Sequence, residues 1–561
     1  MYYLILLLIT SPYLKIINSF FEQDEWHNIG WHIYNIGRFN NSFLELLRYY
    51  ILGPLPVTQL FNILNFKLFE IKSVIPSILI FIFIILNGIL WIKLLRNFTE
   101  SKIIYFGSLL FGYLTFLGSQ GVSWVIPSVS VQLSFFLFLL SINLFIKFIK
   151  KSKKFYLIFS LTLFILSFFS KQTVAFLIFL FPVVDISLSN NKLKKIISKY
   201  LLISLGLILS ILIINSNSVI VSNVGLGRFT GKTQILLNFI LIPLKSISQI
   251  VIGETQIIRN ISKYLLNDYY INSNAASTIY TIGTDFVSVF ISFIFILPSI
   301  FIIKNIKDRK LIMISITGYI LSFIPLFFDK YSTGVGFLES RYYFLPSFFL
   351  GIYLSIILDF ILMKLSVIKQ KWMRNQMKLI LYIGLITYFI FQVNLITIDI
   401  SSKNSYTNKR KEILSQSIEI LNIDDYKKFV LYIEDKNYPI KNFENVTGTF
   451  FQTGFLYPFL VSNYKEIPYQ VFENDDFWSI NFNKVKITNE YSIGLFYDFE
   501  SLSKFVKDNP EFIDNVYHLE FNYENINNQK YSGNFKDIIY AEVSSDTNIL
   551  RKKLYEQKKQ I

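Results

Sequence analysis

Apolar runs of about 18 to 25 residues recur along this chain, the length an α-helix needs to cross the hydrocarbon of a bilayer. Residues 73–95, 125–146 and 342–363 are three of them. No water reaches the middle of a bilayer, so each backbone amide there must be satisfied within its own segment, and such runs become membrane-spanning helices. Of the 561 residues, 53% are hydrophobic and mean hydropathy is +0.46. Soluble domains are about 45–50% apolar even with glycine counted. The expected class is an α-helical polytopic membrane protein.

The net charge of +16 invites a nucleic-acid partner, but its distribution argues against one. The basic residues fall in short loops between apolar runs: Lys93, Arg96 and Lys102; Lys147 to Lys154; Lys192 to Lys199; Lys304 to Lys310; Lys364 to Lys378. Alternate loops carry them, which is the pattern of loops held on the cytoplasmic side. The chain has no cysteine, which excludes disulfides and thiolate metal sites, and its 3 histidines argue against a zinc centre. The first run lacks a basic start and a small-residue cleavage site, so it is expected to be a retained helix and not a signal peptide.

With the basic loops inside, spans fall near 2–21, 73–95, 103–119, 125–146, 155–170, 173–189, 200–215, 285–303, 311–328, 342–363 and 379–399. That is about eleven, with the N-terminus cytoplasmic and the C-terminus outside. The fifth and sixth are short and meet at Ser170-Lys171-Gln172, a hairpin with its tip outside. The outer stretch 22–72 is long, and its apolar spacing at 40–50 and 57–69 predicts one or two helices along the membrane surface. The apolar run 235–252, interrupted by Pro243 and Lys245, is expected to be interfacial or re-entrant. Gly231-Lys232-Thr233 is not a P-loop, because only three residues separate Gly227 from Gly231 and no strand precedes it. From 400 the chain turns polar, with strands expected at 429–433, 493–497 and 538–543 and helices at 409–421, 501–507 and 548–558. Two domains follow: a transmembrane domain at 1–399 and an extracytoplasmic α/β domain at 400–561.

Between the first two spans stands Phe20-Phe21-Glu22-Gln23-Asp24-Glu25-Trp26-His27, with carboxylates crowded at the end of a membrane-length run. A carboxylate near hydrocarbon is costly unless it meets water, a partner or a substrate. Four further stretches share the outer side: Arg48 through Pro54 to Phe69 with Asn87; Gly118 to Trp124 with Gln132; Ser170-Lys171-Gln172-Thr173; and Glu339-Ser340-Arg341-Tyr342-Tyr343-Phe344-Leu345-Pro346-Ser347. Taken in order, the five resemble the GT-C integral-membrane glycosyltransferases, in particular the protein O-mannosyltransferase-like group that uses lipid-phosphate sugars. The match covers about residues 1–399 and leaves the C-terminal domain outside it. Departures are the uncharged Gln120 and Gln132 where that group has charge, Gln172 in place of Glu, and Ser340 between the acid and Arg341.

The resemblance implies transfer of a sugar from a polyprenyl-phosphate donor to an acceptor hydroxyl at the outer face of the plasma membrane. A carboxylate near the acceptor serves as general base; Asp24 is the first choice and Glu25 the second. The leaving phosphate needs fixed cations, and an arginine meets phosphate oxygens two at a time. Arg341 fills that role, with Lys171 as a second donor-phosphate ligand and Glu339 orienting Arg341. His27 and Arg48 are possible substrate contacts. No cofactor or protein-bound metal is expected, though a divalent ion assisting the phosphate is compatible with the chemistry. The expected partners are membrane lipid, the lipid-linked donor and a glycan, lipid or protein acceptor, with no nucleic acid. A transporter or flippase of a lipid-linked glycan, and a polymerase or ligase joining whole glycans, are the competing functions.

Overall fold

The computed structural model describes residues 2–21, 25, 29, 42–51, 55–69, 72–188, 232–253, 255–265, 276–303, 309–327, 340–421, 423, 428–435, 484–487, 492–496, 498–525 and 538–559. Among the described residues, six helices are long and apolar enough to cross a membrane: Val74–Leu95, Val125–Lys151, Ile235–Ile252, Arg309–Phe327, Phe344–Ser366 and Lys371–Ser405. Shorter apolar helices cover Leu4–Asn18, Lys154–Ser170, Gln172–Leu188 and Thr284–Leu297. The chain is therefore mostly helical and reads as a multi-pass membrane protein. The span expected at 200–215 and the Gly231-Lys232-Thr233 loop from its start to residue 231 lie outside the described residues. The chain divides into two compact units, one of 1–17, 49–68 and 74–401, the other of 18–48, 69–73 and 402–561.

In the first unit the helices meet through small and polar side chains. Lipid tails are as apolar as leucine, so association between membrane helices depends on close packing and interhelical hydrogen bonds. Helices Val125–Lys151 and Lys154–Ser170 form an antiparallel pair stitched by two reciprocal serine contacts. Ser134 donates to the Ser167 carbonyl at 2.9 Å and Ser167 returns a bond to the Ser134 carbonyl at 2.6 Å; Ser141 and Ser160 do the same at 2.6 and 2.8 Å. The two rungs lie seven residues apart, so they fall on the same helix face.

Helices Lys102–Tyr113 and Phe344–Ser366 cross even more closely. A Cβ added at Gly351 would stand 2.8 Å from the Ser108 carbonyl oxygen and 3.0 Å from the Phe111 Cβ. The obstacle is backbone, which cannot swing aside. Gly351→Ala is expected to destabilise the protein by about 1–3 kcal/mol, the usual cost of overpacking, measurable as a lower unfolding temperature in detergent. Beside this crossing, Trp91 packs edge-on to Phe348 and Phe349 and donates its indole N–H to Ser108 Oγ at 2.9 Å.

Two helices run on where the sequence suggested a break. The last span and the helix expected at 409–421 are one continuous helix, Lys371–Leu421, of 51 residues. At about 1.5 Å per residue it is more than twice as long as a crossing needs. The helix Lys232–Ile252 runs unbroken through Pro243, whose carbonyl accepts the Tyr319 hydroxyl at 2.7 Å.

The second unit holds a five-stranded sheet in the order β2-β3-β1-β4-β5, with β1 Lys428–Asp435, β2 Lys484–Ile487, β3 Ser492–Phe496, β4 Val516–Asn525 and β5 Ile538–Ser544. Its centre, β3-β1-β4, is parallel, and the outer strands β2 and β5 are antiparallel. Phe429 to Ile433 is apolar without alternation because a central parallel strand is buried on both faces. Helices Phe499–Asp508 and Thr547–Lys559 cover one face through Leu502, Val506, Leu550 and Leu554.

Asp498 caps the first of these helices, accepting the backbone N–H of Glu500 at 3.2 Å and of Ser501 at 2.9 Å. The Ser501 hydroxyl, followed by those backbone bonds, holds its carboxyl below the ordinary 3.8. A lowered pKa means that the cap's stabilisation is complete above pH 3.8 and is lost as pH falls through the folded-state value. Asp498→Ala is expected to cost about 0.5–2 kcal/mol at neutral pH. Hydrogen exchange in 499–508 should then quicken at pH 7 and match the parent once the parent's cap is protonated.

Candidate functional site

Three segments that the sequence set on the outer side gather at one end of the first unit. The stretch 115–124 leaves helix Lys102–Tyr113 through Thr115, whose hydroxyl donates to Ser347 Oγ at 3.3 Å. Gly118 and Gly121 let it lie against Phe344: a Cβ at Gly118 would be 3.5 Å from the Phe344 Cα, and one at Gly121 would be 2.7 Å from the Phe344 Cβ. Gln132 and Asn87 brace it from below. Gln132 Nε2 donates to the Gly121 carbonyl at 3.0 Å, and Asn87 Nδ2 donates to Gln132 Oε1 at 3.0 Å. Both are fully buried. The neutral Gln132 therefore works as a buried brace.

The second segment is the hairpin tip. Helix Lys154–Ser170 ends on Lys171 in extended conformation, and a 3-10 stretch Gln172–Phe179 follows. The Ser170 carbonyl accepts the Thr58 hydroxyl at 2.7 Å, which ties helix Pro56–Phe69 to the tip. The third is the 3-10 turn Ser340–Tyr343, which opens helix Phe344–Ser366. Lys171 and Thr173 of the tip and Tyr342 of the turn line one hollow, closed by Val131, Ser322, Leu326 and Leu345. At about 20 Å³ it has room for one water molecule and none for a sugar phosphate. Lys171 is half-buried there and engaged with its surroundings.

The residues expected at the site divide as follows. Lys171 and the backbone of Arg341 are brought to the same corner, while the Arg341 side chain lies outside the described residues, as do Glu339, Asp24 and His27. Glu25 belongs to the second unit, is buried at 1% exposure and interacts with neighbours. Arg48 sits exposed on helix Phe43–Ile51, also in the second unit. Within that unit the end of the first apolar run is tied to the polar part of helix Lys371–Leu421: Ser19 Oγ donates to Asn404 Oδ1 at 2.5 Å, and the Phe20 N–H to Thr407 Oγ1 at 3.3 Å.

Two polar clusters were missed in the sequence. Lys245 and Asp285 form a buried ion pair at 3.1 Å, with side chains 0% and 9% exposed. Lys245 stands in an apolar run, and that isolation was its only signal. The other cluster lies at the carboxyl end of β1, where β4 pairs with it in parallel. Glu434, His518 and Glu520 place ligand-type atoms within 4.8 Å of one another. His518 Nδ1 accepts the Asp546 backbone N–H at 3.1 Å, which places the proton of the neutral ring on Nε2, 3.2 Å from Glu434 Oε2. A metal at Nε2 would force that proton onto Nδ1, where a donor already points. The trio fits a hydrogen-bonded His–Glu pair and not a metal centre. Tyr432 stacks on the His518 ring with centroids 5.6 Å apart. Burial, followed by the charges of Glu434 and Asp498, pushes its hydroxyl up to about 12, so it remains a donor at neutral pH.

No protein-family model matches the chain, and no curated protein matches its sequence.

Proposed function

We propose that this chain is a GT-C-type glycosyltransferase that moves a sugar from a polyprenyl-phosphate donor to an acceptor at the outer face of the plasma membrane. The observation that supports this is the gathering of the family-like segments 115–124, 170–173 and 340–347 at one end of the first unit, with Lys171 beside the turn that bears Arg341. The outer placement rests on the basic loops.

The reaction is a general-base-assisted inverting displacement. The acceptor oxygen attacks the anomeric carbon as the bond from that carbon to the phosphate oxygen breaks. The bonding electrons leave on the polyprenyl phosphate, and the acceptor proton passes to Asp24, with Glu25 as the second choice. Arg341 and Lys171 meet the phosphate charge. Fixed cations aimed at developing charge in a water-poor site are often the largest catalytic contribution. Glu339, Arg48 and His27 would orient Arg341 or contact the sugar.

The buried Lys245–Asp285 pair favours a second reading, because ionisable groups inside membrane helices often mark a transport route. Incubating the purified protein with a panel of polyprenyl-phosphate sugars, with membrane extract as the acceptor source, separates the two. A transferase consumes one donor and frees polyprenyl phosphate, whereas a transporter returns every donor intact.

A further inference from the structure

Helices Lys232–Ile252 and Ala276–Ile303 lie side by side in parallel, with polar rungs at one register: Lys245 on Asp285 at 3.1 Å, and the Ser248 hydroxyl on the Ser288 carbonyl at 2.7 Å. An ammonium buried in an apolar helix is costly unless its counter-ion stays beside it, so the pair fixes the rotation of both helices. One turn further on, Gln249 presents itself on the same face as Lys245. Its Nε2 donates to Ser288 Oγ at 3.3 Å, which commits Oε1 to face the other way, where it accepts the Tyr343 hydroxyl at 2.5 Å. Gln249 is 1% exposed and Tyr343 is 0% exposed, so water cannot stand in for either partner. Tyr343 closes the turn that begins at Ser340, two residues after Arg341, and its carbonyl accepts the Ser347 hydroxyl at 2.6 Å.

We propose that Lys245, Asp285 and Gln249 form a positioning network that holds the 340–343 turn, and with it the backbone from which Arg341 reaches the donor phosphate. The last clause rests on the phosphate role given to Arg341 above. The network itself concerns only the turn. Arg341 stands in the 3-10 turn Ser340–Tyr343, which opens helix Phe344–Ser366. The Tyr343 hydroxyl ties this turn to Gln249 of helix Lys232–Ile252, and the ion pair keeps that helix from rolling away.

The absence of native cysteine makes the test direct. A spin label on Ser340→Cys reports motion of the turn, and one on Lys151→Cys, at the end of helix Val125–Lys151, reports general loosening. Tyr343→Phe removes one hydroxyl and leaves the ring packed; Gln249→Leu removes its acceptor. Each is expected to mobilise the label at 340 and leave the label at 151 unchanged. The two changes together should do no more than either alone, because they break the same bond. Binding of sugar-free polyprenyl phosphate should weaken about tenfold in both, the scale of one misplaced charge contact. A label at 340 that stays immobile in both variants, or labels at 340 and 151 that loosen together, overturns the network. Mobilisation as expected in a parent that binds no polyprenyl phosphate overturns the donor role of Arg341 and leaves the positioning network standing.

Discussion

Asp24→Asn is expected to yield an inserted, folded protein whose sugar transfer falls by about 10²–10⁴, the range a positioned base contributes. Asparagine keeps the size of the side chain and one carbonyl acceptor but cannot take a proton at neutral pH. The donor should therefore still bind while turnover stops, a loss in kcat with little change in KM. Glu25→Gln is expected to have a smaller effect on turnover, since Glu25 is buried at 1% exposure and already engaged with neighbours. The measurement is the rate of donor consumption by each purified variant at saturating donor. A well-folded Asp24→Asn, Glu25→Gln double variant with full activity would end the mechanism.

Arg341→Gln is expected to lower kcat/KM by about 10²–10³, on the scale of losing a fixed group that stabilises transition-state charge. Lysine at the same position should recover only part of this, because an ammonium is a point charge and cannot make the paired contact of a guanidinium. Lys171→Gln should cost about tenfold, the scale of one ordinary charged hydrogen bond. With both cations removed, sugar-free polyprenyl phosphate should no longer bind. Equal activity of Arg341→Gln and the parent would remove the phosphate role and return Arg341 to an interfacial side chain.

The helices of the first unit were legible because bilayer thickness imposes a length on apolar runs, and the expected spans at 73–95, 311–328 and 342–363 agree with helices to within a few residues. The hairpin at Lys171 was legible because a lone cation separates two short apolar runs. The continuity of Lys371–Leu421 was not legible, since its polarity changes near 400 and composition reads as a boundary where the backbone has none. Strand β4 was missed because Val516 to Asn525 mixes His, Glu and Asn into its apolar residues, and its place in the sheet depends on pairing with β1, far away in sequence. At the candidate site the sequence could suggest which outer segments gather. It could not supply Gln249, whose role depends on Tyr343, 94 residues away, and on the rotation of a helix fixed by Lys245 and Asp285.

The most direct test of the central claim is release of free polyprenyl phosphate by the purified protein in lipid nanodiscs, given each polyprenyl-phosphate sugar in turn with membrane extract as acceptor source, and read by mass spectrometry. The expected result is stoichiometric release from one donor, absent in the Asp24→Asn and Arg341→Gln variants. Release from none of the donors, or release that persists unchanged in both variants, would contradict it.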